Sequence, residues 1–352
     1  MTVNQNGNGD MSVVIGWDVG GVHLKAARAE GGRIVAAIQI ASPLWLGVSR
    51  LDEAFRTARS ELGSADAHAV TMTGELSMAF TSRSEGVCAL AALTASALAP
   101  APLRFYAGRA GFLSLEAVGA HASDVASANW HASAALIARY RREALLIDMG
   151  STTTDIIPIV AGAVAARGYT DAERLATGEL AYAGLVRSLA FASASRAPVA
   201  GAWTPLMNDD FANMADVHRI VGDLPVGADV QATTDGRDKS VAASRRRLAR
   251  MVGRDAHELD DGAWLGLAQW FAETQLREIA DATMQVLSDR RLSGDAPIVA
   301  AGVGCEVLRE LSRRLGQRHL HFGDLVDAAP SAREAAAHFA PAAALAALAS
   351  SD

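Results

Sequence analysis

Ala144-Leu145-Leu146-Ile147-Asp148-Met149-Gly150-Ser151-Thr152-Thr153-Thr154-Asp155-Ile156-Ile157-Pro158-Ile159 is the stretch whose reading decides the fold. Its first four residues form an apolar run with the length and composition of a buried strand. The run meets Asp148, Gly150 permits a sharp turn, and four hydroxyl residues follow before a second apolar run, Ile156 to Ile159. Amides and hydroxyls gathered in a turn can donate to phosphate oxygens, and a carboxylate at its entry can hold a cation or its waters. An unliganded hairpin can carry Asp-x-Gly too, so this stretch alone does not settle function.

The chain repeats the pattern near its start. Val13 to Trp17 leads into Asp18-Val19-Gly20-Gly21, and His23-Leu24-Lys25-Ala26-Ala27 leaves it. Both copies then reach a second turn, Gly31-Gly32 and Ala161-Gly162. Two strand–Asp-x-Gly–strand hairpins predict a duplicated domain. A third element, Pro297 to Gly304, reads as strand and glycine turn, followed by a helix over Glu306 to Leu315. Such a turn can lie against a flat ring or a phosphate.

This ordered trio resembles the actin-like ATPase superfamily of sugar kinases, heat-shock chaperones and actin. The resemblance implies an α/β, duplicated ribonuclease H-like two-lobe fold with an interlobe cleft. There the first two loops grip phosphates and Gly302-Val303-Gly304 sits by the adenosine. The expected division is a disordered tail at 1–10, a first lobe at 11–143 completed by a C-terminal helix at 332–349, and a second lobe at 144–331. An insertion is expected at about 198–260, a stretch with turn signals such as Asp235-Gly236-Arg237-Asp238.

Composition narrows the classes. With 352 residues, half of them hydrophobic, the chain can bury two cores. No apolar run approaches the roughly 20 residues of a membrane span, and the polar start has no signal-peptide pattern. A net charge of −7 offers no general attraction to nucleic acid or anionic membrane. Two cysteines without C-x-x-C spacing suggest neither a disulfide framework nor a zinc ribbon and fit a reducing cytoplasm. The histidines show no zinc-site spacing. Arg245-Arg246-Arg247 with Arg250 reads as a solvated helix face. The periodicity predicts helices over Leu51 to Leu62, Val87 to Leu98, Asp124 to Tyr140 with Asn129 in its middle, Arg245 to Val252 and Trp264 to Leu287. A strand over Ala67 to Thr73 would turn Thr71, Thr73 and Glu75 to one side.

Several blocks resemble a narrower family. They are Gly16 to Lys25, Thr71-Met72-Thr73-Gly74-Glu75-Leu76, Ala128-Asn129-Trp130, Thr170-Asp171 through Glu179-Leu180, Ala215 to Ile220, and Asp235-Gly236-Arg237. From about Val13 to Pro341 the chain resembles hydantoinase A/oxoprolinase-related proteins of tetrahydromethanopterin-linked one-carbon transfer, whose archaeal members are implicated in methanofuran biosynthesis. Val22-His23-Leu24-Lys25 departs from the Thr-x-Thr-Asp of hydantoinase A proper, which argues against hydantoin or oxoproline hydrolysis.

The resemblance implies a synthase. The phenol oxygen of γ-glutamyltyramine, or of a tyramine- or tyrosine-like acceptor, would displace diphosphate from an aminomethylfuran-methyl diphosphate. For that chemistry the residue types make Gly20, Gly21, Gly150, Ser151, Thr152 and Thr153 the expected diphosphate cradle, with His23, Thr154, Gly302 and Gly304 in the same phosphate- or nucleotide-binding set. Asp18 and Asp148 hold Mg²⁺, Lys25 neutralises charge, and Asp155 or Glu75 takes the phenolic proton. Thr73, Gly74, Arg83, Asn129, Arg174, Glu179 and Tyr182 are the candidate substrate contacts. The expected partners are these small molecules, with no nucleic acid and no membrane; the reading allows a homo-oligomer. Two alternatives stay open at this point. One is an ATP-dependent kinase or ATPase with ATP or ADP in the cleft, the other a noncatalytic nucleotide-dependent assembly factor.

Overall fold

The computed structural model describes residues 12–351; the tail expected at 1–10 lies outside the described residues. The chain divides into two compact units, one ending at Leu136 and taking in the C-terminal stretch from Asp327, the other Ile137–Val326.

In the first unit β1 (Val13–Val19), β2 (His23–Glu30), β3 (Arg33–Ala41), β4 (Ala67–Met72), β5 (Leu103–Tyr106) and β6 (Phe112–Leu113) form one sheet. Its order is β3-β2-β1-β4-β5-β6. The first three strands are an antiparallel meander, while β1–β4 and β4–β5 are parallel. β1 is covered on both faces, which is why it reads as a nearly continuous apolar run. One cover is the helix Ala340–Ala349. A Cβ at Gly16 would lie 2.1 Å from the Ala342 carbonyl oxygen, so glycine on the strand and alanines on the helix permit this approach. The single helix expected over 332–349 is instead two, Arg333–His338 and Ala340–Ala349, parted at Phe339. Pro341 can sit in the first turn of the second because a helix start leaves its amides unpaired anyway.

Trp17 shows how the core tolerates polar atoms. Its ring packs edge-on against Phe55 at 5.1 Å, and its indole N–H donates to His68 Nδ1 at 3.2 Å. Burial, helped by the positive charge of Arg59, pushes the His68 imidazole down to about 4. The ring therefore stays neutral and can accept the bond.

The second unit contains β7 (Ala144–Met149), β8 (Thr154–Val160), β9 (Ala163–Val164), β10 (Leu180–Ala181), β11 (Arg196–Val199), β12 (Ala202–Pro205), β13 (Ile298–Ala301) and β14 (His319–His321). The main sheet runs β10-β8-β7-β13-β14, with β9 also on β8. An antiparallel hairpin followed by two parallel strands repeats the first sheet's plan. The second turns match too: φ is 57° and 85° at Gly31 and Gly32, and 53° and 79° at Ala161 and Gly162. Two successive positive φ values are the signature of the hairpin turn that suits strand twist.

A separate apolar cluster in this unit includes Ala190, Val199, Met214, Leu248, Trp264 and Phe271. It joins the β11–β12 hairpin to the helices Met214–Val221, Val241–Met251 and Asp261–Leu287. The cluster begins before residue 198 and extends past 260, because the long helix serves both it and the main sheet. Among the described residues no helix is long and apolar enough to cross a membrane.

Candidate functional site

In the first unit Asp18 on β1 stands opposite Lys25 on β2. Asp18 is fully buried; its Oδ2 accepts from Lys25 Nζ at 3.1 Å and its Oδ1 meets no donor. The turn beyond is closed by the Gly20 N–H donating to the His23 carbonyl at 3.0 Å. The His23 side chain is buried. Thr73 and Gly74 form a second turn beside it: the Thr73 N–H donates to the Val19 carbonyl at 2.9 Å, and a Cβ on Gly74 would lie 3.2 Å from the Gly20 carbonyl carbon.

Glu75 departs from its expected placement. β4 ends at Met72 and Gly74–Leu76 is a 3₁₀ turn, so Thr71, Thr73 and Glu75 do not share a strand face. The turn buries Glu75, whose Oε1 accepts from Ser127 Oγ at 2.7 Å and lies 3.4 Å from Arg83 Nη2. Arg83 Nη2 also donates to Ser127 Oγ at 2.8 Å. Arg83 opens its helix four residues before the expected Val87, because Ser82 caps it by accepting from the Glu85 N–H. The long helix expected over Asp124 to Tyr140 is interrupted after Val125, and Ser127 takes φ 50° in the gap. Asn129 is thus the first residue of a helix rather than its middle. Ser127 carried no sequence signal, since only the break aims it at Glu75.

The second unit repeats the hairpin with other chemistry. Asp148 stands opposite Asp155, and the Gly150 N–H closes the turn on the Thr153 carbonyl at 2.9 Å. Ser151, Thr152 and Thr153 are partly exposed in that turn, whereas Thr154 is buried and donates to the Ala183 carbonyl at 2.7 Å. Thr154, expected in the phosphate set, thus has its hydroxyl proton engaged internally. The Gly302 turn follows β13 and meets this hairpin, for Ala301 is in register with Asp148. A Cβ on Gly302, where φ is 80°, would lie 2.5 Å from Asp148 Oδ1, and the Gly304 N–H donates to the Met149 carbonyl at 3.0 Å. Hairpin and glycine turn form one surface within this unit.

Asp155 and Arg174, both buried, hold each other, and Arg174 Nη2 also donates to Asp171 at 3.0 Å. Arg174 rides on the helix Asp171–Thr177, which Thr170 and Glu173 start with a reciprocal capping box. Asp155, the expected base, is thus engaged in an internal ion pair, and Arg174, an expected substrate contact, serves that pair. Glu179 is likewise fully buried and accepts from the Arg167 and Gly168 N–H groups and from Thr177 Oγ1 at 2.7–2.8 Å. It fixes a loop. Tyr182 is exposed.

The sequence reading missed Arg187. Its main chain donates to the Ser151 carbonyl at 2.8 Å and its Nη1 donates to Thr152 Oγ1 at 3.2 Å. Burial pulls its pKa down from the usual arginine value, yet guanidinium remains charged at neutral pH. Its signal was the glycine at 184: a Cβ there would lie 2.4 Å from the Thr152 backbone, which presses this loop onto the hairpin turn.

Among the described residues no three His, Cys, Asp or Glu side chains gather as a metal cage. Mg²⁺ often uses only one or two carboxylates together with substrate phosphates. The donor-less Oδ1 of Asp18 and the acidic surroundings of Asp148, with Asp155 opposite, both fit such a group.

Two sheets of one plan, each opening a glycine turn after an Asp-bearing strand, define an α/β protein built on a repeated unit. The chain belongs to the hydantoinase/oxoprolinase family, whose match spans residues 66–333. It is 28% identical over 299 residues to a (4-{4-[2-(gamma-L-glutamylamino)ethyl]phenoxymethyl}furan-2-yl)methanamine synthase of Methanocaldococcus jannaschii, covering 85% of this chain and 88% of that one. A synthase of the same name from Methanococcus vannielii is 29% identical over 170 residues, 48% of this chain and 74% of the other. A solved structure, component A of the (R)-2-hydroxyglutaryl-CoA dehydratase of Acidaminococcus fermentans, covers 97% of this chain and 100% of its own at 12% identity and a TM-score of 0.46.

Proposed function

We propose that the chain is a synthase of methanofuran or methylofuran formation that joins a phenol to a furan-methyl group. The phenol oxygen of γ-glutamyltyramine, or of tyramine or a tyrosine-like acceptor, bonds to the furfuryl carbon of an aminomethylfuran-methyl diphosphate. The carbon–oxygen bond to diphosphate breaks, its electron pair leaves with diphosphate, and the phenolic proton passes to a base. The observation that carries this reading is the synthase relative matched over 85% of the chain, whose name describes a phenoxymethyl-furan product.

The chemistry asks for little covalent work. A furfuryl carbon bears positive charge well because its ring oxygen donates density, so catalysis consists of neutralising the leaving diphosphate and orienting the phenol. Ser151 to Thr153, in the turn that Gly150 makes, supply amides and hydroxyls for the diphosphate, and Arg187 supplies a cation beside Thr152. Gly20 and Gly21, with Lys25 on the neighbouring strand, are the corresponding candidates in the first unit. Asp148 would hold Mg²⁺ in the second unit, and Asp18 is the corresponding candidate in the first; bound at such a carboxylate, the ion would supply charge neutralisation of diphosphate. Glu75 is the candidate proton acceptor, positioned by Ser127 and Arg83.

The test is mass spectrometry of purified protein with Mg²⁺, the furfuryl diphosphate and γ-glutamyltyramine, with tyramine and tyrosine in parallel. An ether product accompanied by diphosphate supports the reading and names the acceptor. Folded protein that forms no ether with any of the three overturns it, and ATP-dependent phosphorylation of an acceptor would then mark a kinase.

A further inference from the structure

The basic run expected as a solvated face is partly buried. Arg247 is 4% exposed, and its guanidinium binds Asp216 through Nε and Nη2 at 2.9 and 2.7 Å and Asp235 through Nη1 at 3.1 Å. Two sequence blocks that the hairpin site does not use, Ala215 to Ile220 and Asp235 to Arg237, therefore meet at one side chain.

Arg247 lines a cavity of about 750 Å³ together with Arg237, Arg245, Arg246 and Arg250. This size is ordinary for a small-molecule site. The same lining contains four carboxylates, those of Asp210, Asp235, Asp255 and Asp261. Five guanidiniums and four carboxylates around one cavity suit neither a polyphosphate, which the acids repel, nor a simple polycation. They suit a group that carries both signs.

The groups differ in readiness. Arg247 is fixed by its two acids and forms a rigid wall. Arg237 is exposed with no acid in ion-pair range among the described residues, while its main chain is pinned by Asp235 and Thr233. The Arg250–Asp255 pair, at 2.9 Å, is largely solvent-exposed on both sides. Such pairs contribute little in water, so a ligand can exchange with them readily. The helix that carries Asp216, the partner of Arg247, is tied to the hairpin turn through the backbone. The Ala215 N–H donates to the Val186 carbonyl at 3.0 Å, and the Val186 N–H donates to the Ser151 carbonyl at 3.1 Å.

We propose that this cavity binds the zwitterionic α-amino-acid end of a ligand, its carboxylate on Arg237 and Arg250 and its ammonium on the neighbouring aspartates. The identification of that end as the γ-glutamyl group of the acceptor rests on the function proposed above. A planar guanidinium can take a carboxylate through two parallel bonds, a geometry that a diffuse positive patch does not offer.

Isothermal calorimetry tests this on the whole chain, with γ-glutamyltyramine, N-glutaryltyramine (which lacks the ammonium) and tyramine as probes. The expected affinity falls at least tenfold from the first probe to the second. In Arg237→Ala and Arg250→Ala the advantage of γ-glutamyltyramine over tyramine shrinks about tenfold, with circular dichroism unchanged. An advantage that survives both substitutions, or one equally large for N-glutaryltyramine, overturns the proposal, as does tighter binding of inorganic diphosphate to this cavity. Binding that is sensitive to Arg237 and Arg250 in a protein that makes no ether supports the cavity and sinks the synthase. Ether formation with no such sensitivity does the reverse.

Discussion

The two hairpins share a backbone and divide at one position. Lys25 and Asp155 occupy equivalent places, each opposite the strand-end aspartate. In the first unit the hairpin neutralises itself, with Asp18 and Lys25 at 3.1 Å. In the second a like charge faces Asp148, and the balancing cation comes from outside the hairpin, on the helix that carries Arg174. Duplication thus kept the turn and changed the electrostatics. The first loop is close to neutral by itself, and the second retains acidity to attract a cation and hydroxyls to meet an anion.

The largest expected contrast is in stability. Arg174→Ala leaves Asp155 and Asp171 in poor solvent without their partner and should cost about 3–5 kcal/mol in chemical denaturation. Lys25→Ala strips the cation from one buried carboxylate, Asp18, where Arg174→Ala strips two acids, and should cost less, about 3 kcal/mol. Equal losses would mean that the two charge arrangements are not different in kind.

Glu75→Gln sharpens the comparison from the first unit's side. If Glu75 accepts the phenolic proton, kcat should fall about a hundredfold, with loss of the acidic limb of the pH–rate profile. Unchanged kcat would leave the first hairpin's neighbourhood a structural role only. Arg187→Gln addresses the second loop: KM for the diphosphate substrate should rise about tenfold, as for one lost charge-assisted contact. An unaltered KM would detach Arg187 from the leaving group.

A further effect is on acid stability and lies outside both hairpins. Burial pushes His131, like His68, down to about 4, with Arg109 adding to it. The unfolded chain therefore takes up protons below about pH 6.5 that the folded chain refuses until about pH 4. Stability from these two sites is complete above that window and declines as pH falls through it. His68→Asn should flatten part of the decline in denaturation midpoints measured from pH 7 to 4.5; an unchanged slope would contradict the buried neutral ring.

Local signals made much of this fold legible. Apolar runs ending in Asp-x-Gly marked both hairpins, and the helix Ser49–Leu62 buries Leu51, Ala54, Phe55, Ala58 and Leu62, the apolar positions at helical spacing. What escaped was set by partners distant in sequence. Arg247 looked solvated because nothing nearby announces Asp216, 31 residues away, as its acceptor. Glu75 looked strand-borne because Gly74 can continue or break a strand, and only the helix gap at Ser127 explains the turn. Asp155 looked like a base because Arg174 comes from a helix beyond the hairpin. Residue type announced these charges; their pairing was a tertiary fact.

The most direct test of the account is diphosphate release coupled to ether formation, followed across a Mg²⁺ titration in the parent, Asp148→Asn and Asp18→Asn. The account predicts that Asp148→Asn loses about a thousandfold in turnover. It predicts a smaller loss and a preserved Mg²⁺ response for Asp18→Asn. Full turnover in Asp148→Asn, or a larger loss in Asp18→Asn, would contradict the division of labour between the two hairpins.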